Sequence, residues 1–294
     1  MRPFKPLTPK LRAIALSASS CLAFHDLTLG YDSHPAVHHL NGVVERGSLT
    51  AVVGANGSGK STLMKGIVGV LRPMSGEVLR SPGVRVAYLP QQGELDRSFP
   101  ARVTDLVSMG LWPRRGLLGR RRREDGEAVA RALSAVGLEG FEKRGLDTLS
   151  GGQLQRALFA RVLVQDADLI LLDEPFNAID AKTVGDLVAL IKRWHGEKRT
   201  VMVVVHDLDL VRAHFPHALL LARAPIAWGD AREALTPENL LRARRFHEAW
   251  DEDAPWCATD EGDGHAHHGH GGGHAGHEHA PPKLALPQGE RGAA

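Results

Sequence analysis

The sequence predicts an α/β fold built on a mainly parallel sheet, and three observations predict it. Residues 49–53 (LTAVV), 168–172 (DLILL) and 200–205 (TVMVVV) are predominantly apolar and without polar alternation, as strands covered on both faces are. Stretches with helical spacing alternate with them. Each of the three runs ends in polar residues, and ligands of open α/β sheets bind at the C-terminal ends of the strands.

The first of these strands leads into Gly54-Ala55-Asn56-Gly57-Ser58-Gly59-Lys60-Ser61-Thr62, a full match to G-x-x-x-x-G-K-[ST]. Residues 62–70 (TLMKGIVGV) read as the helix that follows. Glycines let the backbone curl until successive N–H groups point at phosphate oxygens, and the helix N-terminus adds its positive end. Lys60 is placed to reach the β- and γ-phosphates of a nucleotide, and the Ser61 hydroxyl to hold Mg²⁺. A surface turn that merely contains Gly and Lys would explain neither the flanking apolar segments nor the motifs downstream.

The elements follow in order. Residues 1–21 read as an N-terminal extension outside the fold. Arg2, Lys5, Lys10 and Arg12 precede a very short apolar stretch, a loose likeness to a signal peptide. Residues 22–29 (LAFHDLTL) have partial strand alternation, and Tyr31 follows in a polar turn. Gly47 marks a turn into the strand before the phosphate loop, so an antiparallel layer is expected to feed the parallel core. Two short strands flank Ser81-Pro82-Gly83, the second ending at Pro90-Gln91-Gln92. Residues 102–111 have helical spacing and are expected to close at Pro113. Arg114, Arg115 and residues 120–123 form a basic run, read either as a solvated helix start or as a contact for an acidic partner. Helices are expected over 124–136, stopped by Gly137, and over 154–163, 182–194, 208–215 and 237–250. A last strand pair is expected around 218–221 and Trp228.

Composition is that of a folded chain: 294 residues, 43% hydrophobic, net charge +2. So small a charge gives no reason to expect nucleic-acid binding. Cys21 and Cys257 lie near opposite ends, form no metal pair and suggest no disulfide scaffold, which fits a reducing compartment. No apolar run reaches the roughly 20 residues that span a bilayer, so membrane association is expected through a partner.

Leu149-Ser150-Gly151-Gly152-Gln153 is the signature LSGGQ letter for letter. With the phosphate loop and the strand ending Leu171-Leu172-Asp173-Glu174-Pro175, it makes residues 22–250 resemble the ATP-binding subunit of an ABC transporter. Tyr88-Leu89-Pro90-Gln91, followed by Asp96-Arg97-Ser98-Phe99-Pro100, is similar to the glutamine-loop region of the zinc and manganese importer branch. The resemblance implies a P-loop NTPase core of ABC type with an antiparallel β layer and an inserted helical subdomain, at about 92–165. It implies that Tyr31 stacks on adenine, and that Gly54, Asn56, Gly57, Ser58, Gly59, Lys60, Ser61 and Thr62 hold the phosphates. It implies that Gln91, beside Gln92, approaches Mg²⁺ together with Ser61 and Asp173. It implies that Glu174 is the catalytic glutamate and His206 the switch histidine. Asn177-Ala178-Ile179-Asp180 stands where the family often has Ser-Ala-Leu-Asp; Asp180 is kept while the first and third residues differ. Ser150, Gly151, Gly152 and Gln153 would face the nucleotide of a second copy, so the active unit would be a homodimer.

The implied cofactors are ATP and Mg²⁺. The implied partners are an integral membrane permease and, indirectly, a periplasmic metal-binding protein, with no nucleic acid. The implied location is peripheral, on the cytoplasmic face of the bacterial inner membrane. The segment from Gln91 to Arg123 is where the family contacts the permease. The expected activity is ATP hydrolysis driving zinc import. Manganese or iron import, or an ABC-type ATPase without a transporter, are the alternatives. Against the last, fewer than 100 residues separate Thr62 from Leu149 and carry no sustained heptads.

After Trp250 the composition changes. Residues 251–280 are acidic and then rich in glycine and histidine, with His265, His267, His268, His270, His274, His277 and His279. Residues 281–294 are mixed. Nothing there can form a core, so disorder is expected. Imidazoles on a flexible backbone suit Zn²⁺ and its neighbours, so zinc binding by the tail is expected, against a plain low-complexity tail as the alternative.

Overall fold

Nine strands in two sheets make up the β structure of the described residues, which in this computed structural model are 17–91, 100–115 and 122–248. Residues 1–16 of the extension, Gln92 to Phe99, the side chains of Arg114 and Arg115, Arg120 and Arg121, and the whole histidine tail lie outside them.

The first sheet is antiparallel: β1 (Ser20–Tyr31) lies between β2 (His34–Glu45) and β4 (Ser75–Arg80). Alternation in β1 is only partial because the strand is bulged. Its pairing with β2 shifts between Phe24 and Leu27, where Asp26 has φ 44°. An inserted residue flips every later side chain to the other face. Leu22 and Phe24 before the bulge, and Leu27 and Leu29 after it, therefore all enter one core.

The second sheet runs β5 (Val86–Leu89), β6 (Leu169–Leu172), β7 (Thr200–Val204), β3 (Leu49–Val53), β8 (His217–Ala222), β9 (Ala224–Asp230). Its first five strands are parallel and β9 is antiparallel to β8. Both faces are covered, which is why β3, β6 and β7 read as unbroken apolar runs. Leu169, Leu171, Met202 and Val204 pack with Leu63, Met64 and Ile67 of α1 (Lys60–Val68) and with the β1 core. Ile170, Leu172, Val201 and Val203 pack on the other face with α5 (Gly151–Gln165) and α6 (Ala181–Gly196). Phe159 of α5 stacks on Trp194 of α6, ring centroids 5.7 Å apart. At about 25 cal/mol per Å² of apolar area removed from water, these two layers are the main stabilising term of the fold.

The helices between the sheet strands differ from expectation at two places. Pro113 does not close the helical run. A 3₁₀ turn after α2 (Val103–Ser108) leads into α3 (Trp112–Arg115), where Pro113 is the second residue. A first-turn proline loses no hydrogen bond, because its N–H would be unpaired there anyway. After α4 (Arg123–Ala135), α5 starts at Gly151 rather than Leu154. Ser150 Oγ accepts from the Gln153 N–H and Gln153 Oε1 accepts from the Ser150 N–H. This capping box outweighs the low helix propensity of the two glycines. The chain ends its described part with α7 (Leu208–His214), α8 (Ala231–Ala234) and α9 (Pro237–Glu248).

Candidate functional site

Parallel pairing puts the C-terminal ends of β5, β6, β7 and β3 in one row. Leu89 is in register with Leu172, Leu172 with Val203, and Val204 with Val52. The next residues are Gln91, Asp173 and Glu174, His206, and the phosphate loop. Four distant stretches of sequence therefore meet at one edge.

The loop is held open from below. Gly59 has φ 93°, and a Cβ there would lie 2.3 Å from the Ala36 carbonyl oxygen, so β2 runs directly under the turn. Ser58 is fully buried, and its carbonyl accepts from the Arg223 N–H at 3.0 Å. Lys60 is 4% exposed and donates to the carbonyls of Gly54 and Ala55, at 2.9 and 2.7 Å. Burial pushes its ammonium below the usual range, opposed by the charges of Glu174 and Asp173.

Around the loop the polar groups are paired with one another. Ser61 Oγ donates to Asp173 Oδ1 at 3.0 Å, and Tyr88 Oη donates to Asp173 Oδ2 at 3.3 Å. Gln91 Nε2 donates to Glu174 Oε2 at 2.8 Å, and His206 Nε2 lies 2.6 Å from Glu174 Oε1. Asn177 Nδ2 also donates to Glu174 Oε2, at 2.5 Å. Of these residues, Ser61, Gln91, Glu174, Asn177 and His206 line a cleft of about 840 Å³. That is space for a nucleotide.

Asn56, Gly57, Gly59, Lys60, Ser61, Thr62, Gln91, Glu174 and His206 line the cleft. Gly54 and Ser58 lie beneath it as backbone supports, and Asp173 is buried behind Ser61. Tyr31 stands outside the lining, half exposed at the end of β1. Ser150, Gly151, Gly152 and Gln153 form the N-terminus of α5, also outside the lining. A Cβ on Gly152 would lie 3.3 Å from Thr183 Oγ1 and 3.5 Å from Asp180 Oδ2, so the signature rests on the start of α6. Asp180 caps α6. The Thr183 backbone N–H and hydroxyl hold its carboxyl below the usual range. Asn177 and Ala36 line the cleft without having been assigned a role from sequence. For Asn177 the signal was its departure from the family's serine; Ala36 carries none, because it contributes backbone position.

Oxygen donors that converge at Ser61 and Asp173 suit a hard cation such as Mg²⁺, with Gln91 as a third candidate ligand. No helix of the described residues is long and apolar enough to cross a membrane.

Residues 37–177 match the family model for ABC transporters. A probable metal transport system ATP-binding protein of Chlamydia trachomatis is 40% identical over 74% of this chain and 86% of its own length. The zinc transport system ATP-binding protein TroB of Treponema pallidum is 41% identical over 74% and 84%. The manganese transport system ATP-binding protein MntB of Bacillus subtilis is 38% identical over 74% and 89%. Among solved structures, a metal-chelate type ABC transporter in an inward-facing conformation aligns with TM-score 0.70 at 29% identity. The alignment covers 77% of this chain and 89% of that one. With such relatives over 74% of its length, the chain belongs to the ABC transporter family, as an ATP-binding subunit that hydrolyses ATP.

Proposed function

We propose that this subunit powers import of a divalent transition metal, zinc first and manganese second, through a separate membrane permease. The observation that carries the reading is the similarity, at about two residues in five, to ATP-binding proteins of metal transport systems. One of those is named for zinc and one for manganese, so the relatives do not choose between them. The seven tail histidines favour zinc, because imidazole suits Zn²⁺ better than the harder Mn²⁺. On this reading the tail meets zinc after entry, and buffering or feedback fits it better than cargo capture.

The cleft supplies a division of labour. Tyr31 stacks on the adenine. Lys60 exchanges its two loop carbonyls for the β- and γ-phosphates, while backbone N–H groups of the loop hold the same oxygens. Ser61, Asp173 and Gln91 hold Mg²⁺, which neutralises charge on the phosphates when bound. Glu174 orients the attacking water and takes its proton, and His206 donates to the γ-phosphate. The Ser150 hydroxyl and the N–H groups of the signature serve the nucleotide of a second copy, so the working unit is a homodimer. A bacterial ABC transporter cassette solved as a dimer aligns with TM-score 0.63 at 25% identity, covering 72% of this chain and 99% of that one. Met109 and Trp112 stand 42% and 54% exposed on the 3₁₀ turn and α3, a surface suited to the permease. The subunit would sit at the cytoplasmic face of the inner membrane, with a periplasmic binding protein delivering the metal outside.

The test is uptake of radiolabelled zinc and manganese by cells in which the chain is disrupted, complemented with wild type or Glu174→Gln. Loss of zinc uptake that only wild type restores is expected. Loss of manganese uptake alone would overturn the zinc reading, and unchanged uptake of both would overturn the metal-import reading.

A further inference from the structure

Glu174 receives three donors, and one of them lies outside the expected machinery. Gln91 and His206 reach it from the ends of β5 and β7. Asn177 reaches it from the same turn. Its backbone N–H donates to the Glu174 carbonyl at 3.3 Å, and its side-chain amide donates to Oε2 at 2.5 Å. The turn is fixed at its far end. Ala178 is left-handed with φ 56°, Asp180 caps α6, and the Ala178 carbonyl lies 3.3 Å from where Gly151 would place a Cβ. Glu174 itself has φ 49°, a conformation that a non-glycine residue keeps only when its surroundings impose it.

These contacts divide the carboxylate. Oε2 takes two amide donors, from Gln91 and Asn177, while Oε1 faces His206, itself a lining residue of the cleft. A base that must accept a proton from a water needs one oxygen directed at the cleft and the other held. Gln91 reaches Glu174 from the end of β5, whereas Asn177 is tied to Glu174 by main chain and side chain together. A serine at position 177, the residue the family often carries there, would put its hydroxyl on Cβ, one bond short of the amide's reach. The asparagine makes a contact that the shorter side chain does not.

We propose that Asn177 is a positioning residue for ATP hydrolysis, holding Oε2 of Glu174 so that Oε1 is aimed into the nucleotide cleft. The inference rests on the proposed role of Glu174 as the group that orients the water. Asn177 is exposed and lies in a turn, so its replacement leaves the core intact.

The experiment measures steady-state and single-turnover ATP hydrolysis by the full-length chain. Asn177→Ala should lower kcat roughly tenfold, the loss expected for one hydrogen bond to a charged group, with KM for ATP within about twofold of wild type. Asn177→Gln, which keeps an amide on a longer arm, should recover much of the rate, and Asn177→Ser should not. In a Glu174→Gln background the residual single-turnover rate should be the same with or without Asn177→Ala, because the group it positions has been replaced. An unchanged kcat in Asn177→Ala, or an equal further loss in the Glu174→Gln background, overturns the inference. Wild-type turnover in Glu174→Gln alone would overturn the reading of Glu174 itself, a result that separates the two failures.

Discussion

Ser61 Oγ and Asp173 Oδ1 meet at 3.0 Å although 112 residues separate them in sequence. One opens α1 and the other ends β6, so the contact joins the two strands that flank β7. A hydroxyl and a carboxylate at this distance can be bridged by a cation with little movement of either. We expect chelation of Mg²⁺ to stop ATP turnover while leaving the melting temperature of the nucleotide-free chain unchanged. Ser61→Ala should need several times more Mg²⁺ for half-maximal rate, and Asp173→Asn should lose turnover about 100-fold or more. Titration of the rate with Mg²⁺ checks both. A Ser61→Ala curve that overlays wild type would remove Ser61 from the ligand set.

Gly59 makes a second prediction, one of strain. At φ 93° and with the Ala36 carbonyl 2.3 Å from a would-be Cβ, alanine meets backbone on a strand that cannot yield cheaply. Gly59→Ala should destabilise the chain by about 2 kcal/mol or more and abolish ATP binding. Denaturant unfolding and nucleotide titration measure the two effects. Gly69 is the control: it is also left-handed, φ 88°, but open space surrounds its Cβ position, so Gly69→Ala should cost only about 1 kcal/mol and keep nucleotide binding.

Much of this site was legible in the sequence because its parts are strand ends. An unbroken apolar run forecasts a doubly covered strand, and the polar residue after it is then at the sheet edge where parallel strands deliver ligand groups. Lys60, Asp173, Glu174 and His206 could be located in this way. What was not legible depends on a third dimension. The bulge at Asp26 hid the regular alternation of β1, because one inserted residue inverts the pattern beyond it. Pro113 looked like a helix stop because sequence shows the missing N–H but not whether the proline falls in a first turn. The Asn177–Glu174 bond requires the chain to reverse within four residues, and it is visible only once that turn is seen.

The opposite edge of the parallel sheet gives a pH prediction. Arg85 lies between Asp166 and Asp168, and Arg199 between Asp166 and Glu197, around a pocket of about 260 Å³. Burial raises the Asp168 carboxyl, but the backbone N–H and guanidinium of Arg85 outweigh it and hold the group below the usual range. A carboxyl with a depressed folded-state pKa contributes stability that is complete above its unfolded value and is lost as pH falls through the folded one. Asp168→Asn should therefore lower the melting temperature at neutral pH, by an effect on the order of 1 kcal/mol for a partly exposed ion pair. The difference between variant and wild type should shrink as pH falls below about 4, the ordinary carboxylate range, and go on shrinking with further acidification. Melting curves across that range check the sign, and a difference that grows on acidification would contradict it.

The last prediction concerns what the signature is for. Ser150 caps α5 of its own chain, and its N–H is bonded to the side chain of Gln153. The hydroxyl still has its own proton to donate. The 15-residue helix behind it directs a positive end outward, while Gly151 and Gly152 keep the approach free of side chains. None of these residues lines the cleft of the same subunit. If they act on a nucleotide, it is carried by another copy. Paired dimers made from one subunit with Ser150→Ala and one with Lys60→Ala test this directly. Lys60 disables the site of its own subunit, and Ser150 would disable the site of the other. Both lesions should then fall in one composite site, leaving the other whole. Single-turnover hydrolysis with controlled pairing should show about half of the wild-type burst. Action within one subunit would instead put one lesion in each site and remove the burst altogether. Binding measurements are needed beside the kinetics, because coupling between two sites can silence an intact one. If the paired dimer binds one ATP with wild-type affinity and one weakly, the composite arrangement holds even when turnover is low. If both sites bind weakly, the signature serves its own chain and the assignment of Ser150 across the interface is wrong.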